Sequence, residues 1–455
     1  MAKALFGTDG IRGKVNCYPI TSELALKLGH SISQILPPSG TSKRPKVLIG
    51  RDTRNSGTML EYAITSGLLA QGIDVYSAGV LPTPATAYLT EYFKCDAGIM
   101  VTASHNPYTD NGIKIFGPEG YKINDSQEDQ LEQFLLSSEP AQVAKTHTLG
   151  SLLPVLDASE KYIDFIKEAI SPLSLQGFHV VIDAAHGAAS YLAENLFTQL
   201  GAQVTLMGAE PNGQNINHEV GSLHPQLAAQ KVLQVGADMG ICLDGDADRV
   251  IFIDHKGQII DGDQILYFCA LSLKKRNLLK GNSLVSTVMS NLGLKHALQK
   301  EGIDLIQTPV GDRHVLETMR QGNFNLGGEN SGHLIFSDFA KTGDGLLSAL
   351  KVASFVIEDQ KSLHDSTHSM PLFPLELYAV EVSSKPPIEE VEGLWETIQK
   401  TQSTLGSNGR VLVRYSGTES KIRVLVEAKE ASLVSQESQR IRACLLYTSP
   451  SPRDA

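Results

Sequence analysis

Residues 46–80 read KVLIGRDTRNSGTMLEYAITSGLLAQGIDVYSAGV, and the order of the patterns in this stretch decides the fold class. The apolar run KVLIG predicts a short buried strand, TMLEYAITSGLLAQG predicts a helix, and DVYSAGV predicts the next strand. A strand, a helix and a strand in this order are typical of a largely parallel sheet that is covered by helices. The stretch therefore predicts an α/β fold.

The same rhythm returns twice before the pattern changes. HVVID at 179–183 and SLVST at 283–287 each predict a strand that is followed by further helices and strands. Beyond residue 371, LELYAVEVS and GRVLVRYSGTESKIRVLVEAKE flank a predicted helix near 389–400, which is typical of a small α+β domain with antiparallel strands. We therefore predict three α/β domains with mixed, mostly parallel sheets and one α+β domain, at 1–150, 151–255, 256–370 and 371–443.

The end of the chain continues neither pattern. LLYTSPSPRDA at 445–455 resembles a translated vector or adapter segment. We therefore expect the tail at 444–455 to be non-native or disordered.

The composition is that of a soluble globular protein and argues against several classes of function. Of 455 residues, 42% are hydrophobic and 20% are charged, and no window approaches the ~18 unbroken apolar residues of a membrane span. A net charge of -11 without a basic block argues against binding to nucleic acid or to anionic membranes. The five scattered cysteines and a start without an apolar signal segment predict free thiols and a cytoplasmic location.

A loop within ICLDGDADRVIFID (241–254) carries three carboxylates between two apolar runs, namely Asp244, Asp246 and Asp248. Carboxylates at this spacing repel one another unless a cation neutralises them, and their oxygens suit Mg²⁺. A calcium loop of the helix-loop-helix kind would need Gly and Glu where this chain has Arg249 and His255, whereas a solvated acidic turn without metal remains the alternative. Arg249 also indicates a phosphate nearby, because a guanidinium binds phosphate oxygens.

The stretch VTASHNPYTDNGIKIF (101–116) places Ser104 and His105 in a polar turn directly after a predicted buried strand. Alone, such a serine reads as a cap or turn residue. Paired with the three aspartates, a phosphorylated Ser104 would supply the negative oxygens that a carboxylate-bound Mg²⁺ accepts. Lys114 and His105 would then neutralise charge or carry protons.

Two further loops have the side chains that bind sugars and phosphates. NLGGENSGHLIF (325–336) presents Glu329, Ser331 and His333 on a glycine-flanked turn, which suits sugar hydroxyls or an amine, although an ordinary hairpin turn is the alternative. RVLVRYSGTES (410–420) combines a guanidinium, two hydroxyls and a glycine, which together can surround a phosphate, in Arg414, Ser416, Gly417 and Thr418. A tight β-turn with an incidental arginine is the alternative there.

These four loops in this order, with FGTDGIRG from Phe6 to Gly13, resemble those of the α-D-phosphohexomutase family up to about residue 443. The combination is far more specific than any single loop. The resemblance implies three related α/β domains and a smaller fourth one around a central cleft to which each contributes one loop. Two positions depart from the family pattern, since Tyr415 and Ser420 stand where proline is usual.

The resemblance also implies a role for each loop. Ser104 would be phosphorylated and would complete a site for one Mg²⁺ per chain with Asp244, Asp246 and Asp248. The sugar would be bound by Glu329 and Ser331, and the phosphate that is not transferred by Arg414, Ser416, Gly417 and Thr418. The transfer site would be lined by Arg12, Lys114, Arg249 and His333, with Lys114 or His333 as the general acid or base.

The implied reaction interconverts glucosamine 6-phosphate and glucosamine 1-phosphate through a phosphoserine enzyme and a bisphosphate, for amino-sugar nucleotide and cell-wall precursor synthesis. Mannose or glucose phosphates are the alternative substrates. A phosphatase with an aspartate nucleophile is a second alternative, but such enzymes generally have Thr or Val where Asp248 stands. A sugar-phosphate binding protein without catalysis is the third. We expect no partner beyond the small-molecule substrate, in a monomer or homodimer.

Overall fold

The computed structural model describes residues 5–7, 9–36, 44–137, 143, 148–416 and 420–448. Its contacts divide the chain into two units, of which unit 1 comprises Met1–Met289 and Ile303–Ser369, and unit 2 comprises Ser290–Gly302 and Met370–Ala455. The α-helices are α1 Ser22–Ser31, α2 Asn55–Ala70, α3 Thr83–Tyr92, α4 Asp125–Leu136, α5 Ala158–Ile170, α6 Ala193–Gln199, α7 Gln226–Val235, α8 Gly262–Lys275, α9 Leu292–Lys300, α10 Asp312–Gly322, α11 Gly345–Asp359, α12 Leu363–Thr367, α13 Leu394–Leu405 and α14 Ala431–Thr448. None of the helices in this part of the chain is both long and apolar enough to cross a membrane.

Unit 1 contains three mixed sheets, each with a parallel centre that is extended at one edge by antiparallel strands. The first has the order β1 Phe6–Gly7, β2 Gly10–Lys14, β6 Asp110–Phe116, β5 Ala97–Val101, β3 Lys46–Arg51, β4 Asp74–Val80 and β7 Leu152–Pro154. The second has the order β12 Ile259–Ile260, β11 Val250–Asp254, β10 Met239–Leu243, β8 His179–Asp183 and β9 Gln203–Met207. The third has the order β14 Asp304–Thr308, β13 Ser283–Thr287, β15 Leu326–Gly328 and β16 Leu334–Phe336.

The strands at the parallel centres are buried on both faces. All residues of β5, β10 and β13 are buried, and the apolar runs of β5 and β10 explain why a sheet covered by helices was predictable from the sequence. The fold class is thereby confirmed, with four domains of the expected kinds.

In each sheet, one loop joins a strand of the parallel centre to the antiparallel strand beside it. Residues 102–109 join β5 to β6, residues 244–249 join β10 to β11, and residues 329–333 join β15 to β16. Loops at the carboxyl ends of parallel strands are where α/β sheets bind ligands. Three of the four loops singled out in the sequence therefore occupy equivalent places in three successive sheets.

Helix α11 begins at a buried carboxylate that links two domains of unit 1. Asp344 is its N-cap, because Oδ1 accepts a hydrogen bond from the Leu347 N–H at 2.9 Å, while Oδ2 accepts one from the Tyr162 hydroxyl of α5 at 2.8 Å. Burial raises the pKa of Asp344 to about 6, and these hydrogen bonds offset only part of that rise.

The raised pKa of Asp344 predicts a dependence of stability on pH. The folded protein holds the proton up to about pH 6, whereas an unfolded aspartate releases it near 3.8, so this group favours folding at low pH and loses that contribution as the pH rises through about 6. Asp344→Asn carries no titrating charge, and we expect wild type to lose about 2–3 kcal/mol of unfolding free energy relative to this variant between pH 4 and pH 7. Urea titrations of both proteins across this range, followed by circular dichroism, measure the difference. Unfolding free energies of wild type and Asp344→Asn that change in parallel with pH would contradict this prediction.

Unit 2 is built on a small antiparallel sheet with the order β17 Leu375–Glu381, β19 Lys421–Ala428 and β18 Gly409–Tyr415. The contacts of helix α9 group it with unit 2, although in the chain α9 lies before strands β14, β15 and β16 of the third α/β sheet. The buried Glu427 explains part of this, because it accepts hydrogen bonds from the Leu292 N–H and from Arg410, which also donates to the Ser290 carbonyl.

The predicted helices of unit 2 are present with shifted bounds. The helix expected near 389–400 is α13, from Leu394 to Leu405, and it is preceded by a 3₁₀ turn at Ile388–Glu390. Helix α14 continues to Thr448, and Leu445 is buried against the core of this unit, so the disorder expected for the tail is not found in residues 444–448. Residues 449–455 lie outside the described residues, and the origin of the tail stays a prediction, as do the domain boundaries.

Candidate active site

Ser104 lies in the loop after β5 and is held in a conformation that side chains other than glycine seldom adopt. Its φ is 53° and it is buried. The backbone is held on both sides, because the Ser104 N–H donates to Thr102 Oγ1 at 2.9 Å and the Ser104 carbonyl accepts from Asn217 Nδ2 at 2.8 Å. Contacts from two domains thus fix the direction of the serine hydroxyl.

Arg54 is the main support of this loop, and the sequence analysis did not single it out. Its guanidinium is buried and ion-paired with Asp52, whose Oδ2 accepts from Nε at 2.8 Å and also from the Thr102 hydroxyl at 2.7 Å. The remaining guanidinium donors all point at main-chain carbonyls of the serine loop, namely those of Ser104, Asn106, Pro107 and Asp110. Of the five donors of this planar fork, one binds Asp52 and four hold main-chain carbonyls of residues 104–110.

Arg54→Lys tests this support. Lysine keeps the charge but has three donors in place of five, so we expect the unfolding free energy to fall by about 2–3 kcal/mol for the lost hydrogen bonds. Misplacement of Ser104 should lower kcat of the activity proposed below by roughly 10–100-fold with little change in KM. Steady-state kinetics well below the melting temperature, with Arg51→Lys as the matched control, separate the two effects. An unchanged kcat in a destabilised Arg54→Lys protein would leave Arg54 a purely structural residue.

The aspartate loop after β10 meets the serine loop directly. Ser104 Oγ donates to Asp244 Oδ2 at 2.7 Å, although the two residues are 140 positions apart. Gly245 allows this approach, because a Cβ at that position would lie 2.6 Å from the Ser104 carbonyl oxygen. The predicted meeting of the serine and the aspartates is therefore found in the structure.

The three aspartates are packed closely and are buried. One oxygen from each of Asp244, Asp246 and Asp248 lies within 4.8 Å of the others. Oδ1 of Asp246 and Oδ1 of Asp248 are buried and have no hydrogen-bond partner within the described residues. Burial and repulsion from Asp248 and Asp246 raise the pKa of Asp244 well above its ordinary value.

This set of oxygens fits a divalent cation. Buried carboxylate oxygens without donors are costly unless a proton or a cation compensates them, and hard oxygen ligands in this number suit Mg²⁺. The fit rests on the two Oδ1 atoms that have no hydrogen-bond partner in the described part of the chain, and on the convergence of three carboxylates next to a serine hydroxyl. The acidic cluster is thus a plausible metal site.

Lys114 of β6 is the cation that faces the aspartates. Its Nζ lies 2.9 Å from Asp246 Oδ2, 2.9 Å from Asp248 Oδ2 and 3.1 Å from Asp9 Oδ2. Burial alone would lower the pKa of Lys114, but these carboxylates outweigh burial and raise it well above its usual range. Burial acts to raise the pKa of Asp248. The charge of Lys114 acts against burial, and the pKa of Asp248 falls to about 2.

The charged cluster continues beyond Lys114 into residues that the sequence analysis did not assign. Asp9 pairs with Arg12 and Lys122, and Lys122 in turn pairs with Asp312 at the start of α10. Thr83, the first residue of α3, donates its hydroxyl to Asp246 Oδ2. Asp9 lies within FGTDGIRG, so a sequence signal for it existed, whereas Lys122 and Asp312 have none that composition or spacing would reveal.

His105 and Arg249 lie beside the serine and aspartate loops. Burial, together with the nearby charges of Arg249 and Arg12, lowers the pKa of His105 to about 4, so this imidazole is neutral near pH 7. Its Nδ1 is 3.4 Å from Ser104 Oγ. The Nε atoms of Arg249 and Arg12 are buried and, among the described residues, have no hydrogen-bond partner. Both guanidinium groups can therefore donate hydrogen bonds to a bound anion.

The Glu329–His333 loop is joined to the aspartate loop through the backbone. The Val250 N–H donates to the Gly332 carbonyl at 3.0 Å, and a Cβ on Gly332, whose φ is +87°, would lie 2.2 Å from the Val250 carbonyl oxygen. His333 is buried and its Nε2 accepts from the Gly343 N–H at 3.0 Å, so that nitrogen carries no proton in this arrangement.

Glu329 and Ser331 supply the acidic and hydroxyl groups of this loop. Glu329 Oε1 accepts from the Gly311 N–H at 3.2 Å, and its charge acts on Arg249. The Ser331 hydroxyl is buried and lacks a partner in the described part of the chain. The structure therefore brings the serine, aspartate and Glu329–His333 loops together within unit 1.

The fourth loop belongs to unit 2. Arg414 on β18 faces Arg423 on β19, and burial followed by repulsion from Arg423 lowers the pKa of Arg414. The Ser416 N–H donates to the Lys421 carbonyl at 2.8 Å, and Lys385 donates to the Ser416 carbonyl at 2.7 Å. Gly417 and Thr418 lie outside the described residues. Two adjacent guanidinium groups at a hairpin end are suited to an anion.

Comparison with known proteins gives the class to which this fold and site belong. Models of the phosphoglucomutase/phosphomannomutase family match α/β/α domain I at residues 3–142, domain II at 160–257, domain III at 261–373 and the C-terminal domain at 377–443. The chain belongs to the phosphoglucomutase/phosphomannomutase family, the phosphohexomutases, and is a mutase, an intramolecular phosphotransferase of the isomerase class.

Within this family the chain is similar to phosphoglucosamine mutases. It is 47% identical to the phosphoglucosamine mutase of Sorangium cellulosum (strain So ce56) over 436 residues, which cover 95% of this chain and 90% of that protein. It is 46% identical to the phosphoglucosamine mutase of Bacillus pumilus (strain SAFR-032) over 441 residues, which cover 96% of this chain and 97% of that protein. These relatives place the chain beside enzymes of that name.

Solved structures share the fold at low sequence identity. A phosphoglucomutase/phosphomannomutase family protein from Burkholderia thailandensis aligns with a TM-score of 0.80 at 23% identity, over 98% of each chain. An N-acetylphosphoglucosamine mutase from Aspergillus fumigatus, solved in complex with GlcNAc-6P and magnesium, aligns with a TM-score of 0.67 at 16% identity, over 98% of this chain and 96% of that one. At these identities the likeness concerns the fold.

Proposed function

We propose that this protein interconverts glucosamine 6-phosphate and glucosamine 1-phosphate through a phosphorylated Ser104 and a sugar bisphosphate. The observation that carries the proposal is the 2.7 Å contact between Ser104 Oγ and Asp244 Oδ2, which joins a hydroxyl to a buried carboxylate cluster. The curated relatives support the choice of sugar, because those at 44–47% identity are phosphoglucosamine mutases.

The reaction proceeds by two phosphoryl transfers at one site. In the first, the bond between Ser104 Oγ and phosphorus breaks, a bond from phosphorus to the free sugar hydroxyl forms, and the hydroxyl proton passes to a base. The bisphosphate then turns end for end, and its other phosphoryl group returns to Ser104. Phosphoryl transfer of this kind depends on positioning and on neutralisation of charge. Lys114 and His333 are the candidates for the proton-transferring group.

Cationic side chains neutralise the transferred group, and a metal held by the aspartate loop would add to this neutralisation. Mg²⁺, one per chain, would be held by Asp244, Asp246, Asp248 and an oxygen of phosphorylated Ser104, where it supplies positive charge to the phosphoryl oxygens. Arg12 and Arg249, whose buried Nε atoms have no hydrogen-bond partner in the described ranges, bind phosphoryl oxygens from the protein side. Neutral His105 lies beside Ser104 Oγ and serves as a hydrogen-bonding neighbour.

The remaining two loops bind the rest of the substrate. Glu329 and Ser331 bind sugar hydroxyls or the amine, and the buried Ser331 hydroxyl, which has no partner among the described residues, supports this role. Arg414, Ser416, Gly417 and Thr418 bind the phosphate that is not being transferred, supported by the guanidinium pair of Arg414 and Arg423. Cys17, Cys95, Cys242 and Cys269 are free thiols, in agreement with our proposal of a cytoplasmic enzyme that supplies amino-sugar nucleotide synthesis.

A coupled assay that compares substrates tests the choice of sugar. Glucosamine 6-phosphate, mannose 1-phosphate and glucose 1-phosphate are each supplied with Mg²⁺ and a trace of bisphosphate, and kcat/KM is measured for each. We expect glucosamine 6-phosphate to be preferred. A preference for mannose 1-phosphate or glucose 1-phosphate would assign the alternative substrates, and binding without turnover would make the protein a sugar-phosphate carrier.

A further inference from the structure

We propose that His364 and His368, with the His364 ring oriented by Asp254, form a second metal site, which binds a divalent transition metal such as Zn²⁺. One ligand atom from each of these residues lies within 4.8 Å of the other two. Asp254 ends β11, His364 lies in α12, and His368 is the C-cap residue of that helix. No role in the proposed mutase reaction is assigned to any of the three.

Asp254 is a buried carboxylate whose position is fixed by hydrogen bonds. Its Oδ1 accepts hydrogen bonds from the Lys256 and Gln258 N–H groups, both at 2.9 Å, while Oδ2 lies 2.6 Å from His364 Nδ1. A carboxylate can only accept, so His364 Nδ1 donates. A histidine that donates one ring N–H to a carboxylate presents its other nitrogen to a metal in many metalloproteins, where the carboxylate orients the ring.

The two histidines have the spacing of a helical metal-binding pair. In HDSTH, His364 and His368 are four residues apart, so both side chains lie on one face of the helix. His368 Nδ1 lies 2.9 Å from the His364 carbonyl oxygen, which can only accept, and therefore Nε2 is the nitrogen of His368 that is left to ligate a metal. The two ring centroids are 3.8 Å apart, and His255 adds a third imidazole whose centroid is 5.9 Å from that of His364.

The chemistry of this cluster favours a transition metal over Mg²⁺. Two imidazolium rings at 3.8 Å would repel each other, whereas neutral rings present lone pairs that one cation can accept. Imidazole nitrogens suit Zn²⁺, Co²⁺ and Ni²⁺, while all-oxygen sites suit Mg²⁺. The aspartate loop and this cluster lie at opposite ends of β11, whose five residues extend over roughly 15 Å, so they cannot share one ion.

Binding of Co²⁺ in a large excess of Mg²⁺ tests the proposal, because Mg²⁺ occupies the oxygen site of the aspartate loop and Co²⁺ reports nitrogen ligands through its visible absorption. We expect the full-length protein to bind one Co²⁺ per chain, and Zn²⁺ to displace it. His368→Gln changes an exposed side chain, so it should leave the fold intact while weakening Co²⁺ binding at least about tenfold. The control is His224→Gln, which replaces another exposed histidine of unit 1 and should bind Co²⁺ as wild type does.

The stability of the protein gives a second readout. Zn²⁺ should raise the apparent melting temperature of wild type and of His224→Gln, but not that of His368→Gln, because a ligand stabilises only the state that binds it. Equal Co²⁺ binding by wild type and His368→Gln, or Co²⁺ binding that is lost in Asp246→Asn but not in His368→Gln, would overturn the proposal. Turnover of His368→Gln with Mg²⁺ should match wild type, so the outcome is independent of the mutase assay.

Discussion

Ser104→Ala should lower turnover of glucosamine 6-phosphate by at least about a thousandfold, because the variant lacks the oxygen that carries the phosphoryl group between the two ends of the sugar. The change removes one buried hydroxyl that donates to Asp244 Oδ2 and leaves the backbone contacts of the loop in place. The coupled assay measures turnover. Mass spectrometry of the intact protein should detect a phosphate on wild type that Ser104→Ala lacks.

Ser31→Ala is the matched control for this variant. Ser31 is also a buried serine of the first domain, but its hydroxyl donates to the Leu28 carbonyl within α1, far along the chain from the serine loop. This control should keep both its turnover and its phosphate. Wild-type turnover in Ser104→Ala would refute the phosphoserine route, and phosphate found on Asp244 or Asp246 in place of Ser104 would instead support a phosphatase-like aspartate nucleophile.

The centre of each α/β sheet was predictable from the sequence, and its edge was not. Strands such as β5 and β10 are apolar over their whole length because helices cover both faces, and such runs stand out in a sequence. The antiparallel strands β6 and β11 are also buried, except for the partly buried Asp110, and burial gives no sign of the direction of the neighbouring strand. The loop position common to the three sheets therefore became visible only in the structure.

The acidic part of the site was predictable because its residues lie close together in the chain. Three aspartates within five residues have to be explained by a cation or by exposure, and the sequence alone raises that question. The supports of the site have no such signal. Arg54 contacts carbonyl oxygens about 50 residues away, and Lys122 pairs with Asp312 at a separation of 190 residues. A lone arginine or lysine has the same appearance in a sequence whether it is solvated or buried in a network.

The contacts of helix α9 were likewise not predictable from the sequence. Its position between β13 and β14 in the chain indicated that it belongs to the third domain, because consecutive elements usually pack together. The N–H of Leu292 also donates to the buried Glu427, and the contacts of α9 group it with residues 370–455, although the match to the third domain at 261–373 includes this helix. One buried carboxylate that accepts a helix N-terminal N–H explains part of this grouping, and neither residue carries a local pattern that predicts the pairing.

Asp246→Asn should abolish most of the dependence of turnover on Mg²⁺ and lower turnover at least about a hundredfold. The substitution keeps the shape of the side chain and an oxygen that can accept from Thr83 and Lys114. It removes the negative charge from a carboxylate whose Oδ1 is buried without a partner in the described residues. Isothermal titration of the protein with Mg²⁺ or Mn²⁺ measures the binding, and the coupled assay measures turnover.

The apparent melting temperature separates a metal ligand from a structural carboxylate at this position. Without Mg²⁺, Asp246→Asn should be at least as stable as wild type, because it relieves repulsion with Asp244 and Asp248 while Lys114 keeps its contacts with Asp248 and Asp9. With Mg²⁺, wild type should gain stability and the variant should not. Asp238→Asn, which changes an exposed carboxylate of the same domain that accepts from the His179 N–H, should respond to Mg²⁺ as wild type does. If Asp246→Asn gains as much stability from Mg²⁺ as wild type, the cation binds elsewhere and the aspartate loop is held together by Lys114 alone.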